Sequence, residues 1–150
     1  MNTIISSDLA TLLKDFIPYK QALKLKELGF DEPCFGKYLS CLQSDWKEFE
    51  LILEMDMNEE FEDNRNIYLL EEACSAPTFS QAFRWFREKY GLIHNIQMSG
   101  IQSISYDIRK LTEHHYKTIE FSFCSLDGAN TYEKAELACL IKLIEIVKTK

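Results

Sequence analysis

The groups in this sequence best suited to chemistry are three histidines, five cysteines and one dense run of carboxylates. A metal site needs His, Cys or carboxylate ligands recurring at short, fixed spacings. His114 and His115 are adjacent and His94 stands apart, with no HExxH and no CxxC beside them. Two histidines in an exposed turn explain the pair without a metal, and neither a metal nor another cofactor is expected. A cysteine nucleophile requires a base within reach and a lowered pKa. Cys34, just ahead of Phe35-Gly36, could meet His94 in space, although a buried, inert thiol is the commoner fate. The nucleophile elbow, the P-loop and the dinucleotide-binding glycine pattern are all absent. No catalytic residue is assigned, and the chain reads as a non-enzyme.

The carboxylates are the stronger signal because they are concentrated. Between Asp45 and Asp63 stand nine acids and one base, Lys47, a net −8 in a chain whose total is −7. Everything outside the window is therefore close to neutral. Any run so dense contains carboxylate pairs, so paired-acid hydrolysis or two-metal chemistry gains nothing from it. A negative ridge can instead imitate phosphates and steer the chain onto a basic surface. Aromatic and thioether side chains inside the window, Met55 and Met57 among them, would anchor such a contact. The candidate partner-binding residues are Trp46, Glu54, Asp56, Glu59, Glu60, Phe61, Glu62 and Asp63. The competing account is a solvated face and loop that keep an edge strand from pairing. A second candidate surface, Arg84, Trp85, Arg87 and Lys89, combines bases with a stacking ring. It is short and the protein is acidic, so direct nucleic-acid binding is not expected.

The elements that must position these groups follow from periodicity. Leu9, Leu12, Leu13 and Phe16 suit a short helix over Asp8–Phe16. Pro18 suits the first turn of a second helix that Gly29 closes. A strand is expected to begin between Cys34 and Leu39. Phe49, Leu51, Leu53, Met55 and Met57 alternate with Glu50, Ile52, Glu54 and Asp56, the period of a strand with a core face and a mostly wet one. Asn58 to Asn66 reads as an acidic loop and Ile67 to Cys74 as helical. Thr78-Phe79-Ser80-Gln81 is a capping box opening a helix with the stripe Phe79, Ala82, Phe83, Phe86, Tyr90, and Gly91 ends it.

Beyond Gly91 the period becomes two. Leu92–Met98, Ile101–Lys110 and Lys117–Cys124 read as consecutive strands, turned at Ser99-Gly100 and at Thr112–Tyr116. Ile104, Tyr106 and Ile108 share a face, as do Ile119, Phe121 and Phe123. Connections this short imply an antiparallel meander. Asn130 or Thr131 caps a long C-terminal helix to about Lys148, with the stripe Leu137, Leu140, Ile141, Ile144, Val147. The expected fold is α+β: an antiparallel sheet, made of a three-strand meander plus one or two further strands, packed with about four helices. A length of 150 residues fits one domain, 1–150.

The scattered, odd-numbered cysteines fit reduced thiols better than a disulfide framework. The first residues carry no basic, apolar leader, and no apolar run is long enough to span a membrane. A cytoplasmic protein without membrane contact is expected.

Three stretches carry a resemblance: Ile17 to Gly36 (IPYKQALKLKELGFDEPCFG), Ala76 to Leu92 (APTFSQAFRWFREKYGL) and Thr131 to Leu140 (TYEKAELACL). Together, and in this order, the chain resembles a group of short uncharacterised proteins of bacteriophages and integrated mobile elements. The likeness covers about a third of the chain, leaves out the acidic window and brings no active site with it. It implies a setting inside a host bacterium, where small acidic proteins often inhibit host defence, anti-CRISPR proteins among them. By that analogy the partner is a host protein with a basic surface, such as a CRISPR effector nuclease. The alternative is a non-inhibitory accessory protein of phage replication or assembly. An enzyme using Cys34 or the histidines comes third.

Overall fold

The computed structural model describes residues 11, 13–41, 48–53, 73–98, 103–124 and 131–149. In chain order the elements are α1 (Tyr19–Glu27), β1 (Gly36–Cys41), β2 (Glu48–Leu53), β3 (Cys74–Ala76), α2 (Phe79–Tyr90), β4 (Leu92–Met98), β5 (Ile104–Leu111), β6 (Tyr116–Cys124) and α3 (Tyr132–Lys148). The fold is α+β with antiparallel sheets and a long C-terminal helix, as the periodicity implies. The strands outside the meander do not extend it: they form a sheet of their own, ordered β2-β1-β3, and the meander is ordered β4-β5-β6. The described helices number three. The chain falls into two compact units, Met1–Phe79 and Ser80–Lys150.

In the first unit α1 begins after Pro18, whose extended backbone (φ −61°, ψ 149°) places it at the N-cap rather than inside the first turn. Its far end is a Schellman closure. Gly29, at φ +83°, donates to the Lys26 carbonyl at 2.9 Å, and Phe30 donates to Leu25 at 3.0 Å. The side chains of Leu25 and Phe30 are both buried there, the apolar contact that usually completes this motif. α1 packs against β3, and the Lys26 ammonium donates to the Ala73 carbonyl at 2.6 Å.

β1 pairs antiparallel with β2 on one side and β3 on the other. Gly36 is required by crowding, since a Cβ there would lie 3.0 Å from a Leu51 methyl and 3.1 Å from the Phe16 ring. Leu51 and Leu53 thus lie on the face the alternation assigns to them. Cys74 belongs to a strand and not to the helix expected over Ile67–Cys74. Three residues carry no period, and the β1 backbone decides their conformation. Of the helix expected over Asp8–Phe16, Thr11 and Leu13 are helical, but Lys14 and Asp15 form a turn and Phe16 bridges to Thr78, so it ends short of the expected bound; the acidic loop and the Ser99-Gly100 turn lie outside the described residues.

In the second unit α2 runs over the residues between Thr78 and Gly91, and Gly91 (φ +66°) leads straight into β4. The meander is continuous, with Ile96 opposite Tyr106 and Tyr106 opposite Ser122. Ile104, Tyr106 and Ile108 are buried on its helix-bearing face, where α3 packs along β5 and β4. Phe121 and Phe123 pair with Asp107 and Ser105, so they point to the opposite face and stay exposed. Ile119 is the extra residue of a bulge between Ile108–Glu120 and Arg109–Thr118. Ile119 stays exposed like the two phenylalanines, and the bulge shifts the register of the residues that precede it. Thr131 caps α3 by accepting from the Lys134 amide. The buried stripe of α3 is Ala135, Cys139, Leu140, Leu143 and Ile144, rotated from the expected one and sharing Leu140 and Ile144 with it.

Candidate functional site

The candidate residues of the acidic window, Trp46, Glu54, Asp56, Glu59, Glu60, Phe61, Glu62 and Asp63, lie outside the described residues. Between Trp46 and Glu54 runs β2, at the edge of its sheet among the described strands.

The second candidate surface is resolved, and it divides. Trp85 is buried, with its ring edge-on to Phe86 and to Tyr90 at centroid separations of 5.1 and 5.2 Å. The Lys89 ammonium sits 4.8 Å above the Trp85 ring. This aromatic is therefore not offered for stacking on a base: helix packing takes one side of it and Lys89 covers the other. Arg84 and Arg87 turn elsewhere, into a cleft.

That cleft, about 440 Å³, is walled by Ser80, Gln81, Phe83, Arg84 and Arg87 of α2, His94 of β4, and Tyr132 and Glu136 of α3. The sequence builds it locally. Residues 80, 84 and 87 recur at helical spacing along one edge of α2, beside the buried stripe that holds Phe83. Gly91 turns the chain back at once, bringing His94 against that stripe. The His94 and Phe83 rings stack with centroids 3.7 Å apart and planes 12° from parallel. Burial holds the imidazole pKa below its ordinary value, and the positive charge of Arg87 adds to the effect. Tyr132, at the rim, has its phenol pushed up by burial, then by the Glu136 charge and Cys139.

The walls carry two guanidiniums against one carboxylate, and the first turns of α2 and α3 both face in. The basic side chains outnumber the acidic one, so the net charge of the walls favours an anion. Acyl-transfer chemistry has no foothold. Ser80 and His94 share the cleft, but no hydrogen bond joins them and no described acid orients the imidazole.

The surroundings of the Cys34 thiol oppose its ionisation. Cys34 is buried in the first unit and donates to the Glu32 carbonyl at 3.4 Å. Burial, the Glu32 charge and Cys74 push its pKa up to about 12, the reverse of what a nucleophile needs. His114 and His115 are exposed in the β5–β6 turn, where Thr112 and His115 bond to each other through backbone and hydroxyl. No group of three metal-binding side chains occurs among the described residues, and no described helix is long and apolar enough to cross a membrane.

Sequence reasoning found Arg84 and Arg87 but not their companions Ser80, Gln81, Tyr132 and Glu136. The two arginines at i and i+3 were the available signal. No protein-family model matches this chain, and comparison with curated proteins and with solved structures yields no match.

Proposed function

We propose that the protein acts by binding a protein partner through its acidic window, and that the partner is a host defence nuclease inhibited in the manner of an anti-CRISPR protein. One observation carries this reading: nine acids and one base between Asp45 and Asp63 hold more negative charge than the chain's total of −7. Charge so concentrated has a cost in self-repulsion that a basic groove on a partner would relieve. The window includes β2, at the edge of its sheet among the described strands, and the thiols of Cys34 and Cys74, both held near pKa 12, are poor nucleophiles. These features favour docking over catalysis as the chain's mode of action.

The test is affinity capture from host lysate, using the wild type beside a variant with Glu59, Glu60, Glu62 and Asp63 all changed to Lys. Capture of a nuclease by the wild type, weakened about ten- to a thousandfold in the variant, is the expected result. Equal recovery by both proteins would reduce the window to solvation. Recovery of virion or replication proteins alone would favour the accessory role.

A further inference from the structure

We propose that the cleft between α2, β4 and α3 binds a small phosphate monoester, independently of the acidic window. Its volume, about 440 Å³, falls within the roughly 300–1,000 Å³ typical of small-ligand sites. The charge of the wall selects the ligand class. Arg84 and Arg87 stand one helical turn apart on α2, and Arg87 has no carboxylate partner among the described residues. Guanidinium forks match phosphate oxygens in pairs, and a dianion balances two positive charges where a carboxylate balances one.

Ser80 and Gln81 in the first turn of α2 and Tyr132 in the first turn of α3 line the same opening with polar groups. His94 forms the inner wall, stacked on Phe83. It is poised to gain a proton when a dianion arrives, and its side-chain surroundings are Arg84, Arg87, Tyr132 and Glu136. The Tyr132 hydroxyl, half-exposed at the rim, can donate to a further oxygen or to the ester group. Glu136 is the one opposing charge. It leaves the cleft with a modest positive balance that a dianion meets better than a neutral ligand.

The balance is local. The first unit holds seven bases against sixteen acids, a net −9, whereas the second holds ten bases against eight acids, a net +2. An extended nucleic-acid strand is a poorer fit than a small ester. The two arginines turn into a concave wall, and the next base of α2, Lys89, is held over Trp85.

The test uses the full chain, titrated by calorimetry with 5′-AMP, adenosine and inorganic phosphate at constant ionic strength, with the His94 ring followed by NMR. Expected are one AMP bound per chain, weaker binding of inorganic phosphate, no binding of adenosine, and a rise in the pH at which His94 titrates once AMP is present. Arg87→Gln should weaken AMP roughly tenfold, the loss of one charge-assisted contact. Glu136→Gln should tighten it, a gain that misfolding cannot imitate. Absence of saturable binding at about 10 mM AMP, beyond the weakest useful affinities, overturns the proposal. So does equal binding of AMP and adenosine, or an unchanged affinity in Glu136→Gln. If inorganic phosphate binds as tightly as AMP, the free anion is the ligand and the ester is not.

Discussion

The Cys34 and Cys74 thiols and the Tyr38 phenol all belong to the first unit, and all are held near pKa 12. Burial is the leading cause in each, and the Tyr38 hydroxyl also donates to the Ile17 carbonyl at 2.7 Å. A raised acid pKa means that the fold keeps a proton which the unfolded chain releases. The linked stability is whole below the ordinary values of 9.0 and 10.0 and drains away as pH climbs towards 12. Melting temperature of the full chain, followed from pH 8 to 11, should therefore fall steeply beyond about pH 9. In a Cys34→Ala/Cys74→Ala double variant the decline should be shallower, whatever the starting stability. Equal slopes would show that these thiols do not carry the alkaline sensitivity.

At the scale of the element, two glycines separate two kinds of constraint. Gly91 needs its left-handed backbone but has room, since the nearest atom to an added Cβ is that of Leu111 at 3.9 Å. Gly36 has an ordinary backbone but no room. Asn tolerates the left-handed region, so Gly91→Asn should cost well under the ~1 kcal/mol expected of Gly91→Ala. At position 36 the order reverses: Ala is the milder change, costing about 1–3 kcal/mol by overpacking, and Asn is worse. Chemical denaturation of the four variants checks both rankings. These elements also show what sequence can reveal. The capping residues, the terminal glycines and the period-2 runs specify α2, the meander and the start of α3, because those signals are local. β3 was missed because three residues have no period, and the buried face of α3 was misjudged because the sheet chooses it. Phe121 and Phe123 look like core on their own strand; only the pairing with Ser105 and Asp107 places them on the other face.

Over the whole molecule the sequence's most visible property, its acidity, is confined to one unit, and that is why the cleft was hard to find from composition. Its walls come from residues as far apart as Ser80 and Glu136, brought together by a turn and a meander. A total of −7 hides a region of the opposite sign. The two proposed sites should accordingly answer salt in separate ways. Partner capture by the acidic window depends on long-range attraction and should weaken about tenfold or more between 50 and 300 mM salt. AMP binding in a cleft with directional contacts should change less. Surface plasmon resonance for the first and calorimetry for the second would measure both slopes, and parallel slopes would contradict the distinction.

The bulge at Ile119 has a consequence for crowded solutions. Among the described strands β6 lies at the rim of its sheet, and it carries exposed phenylalanines, the combination from which fibrils and strand-exchanged aggregates grow. A bulge bends its strand and steepens the local twist, so a second chain cannot lie flat along the rim for more than a few residues. The irregularity thus guards the protein against templating its own precipitation.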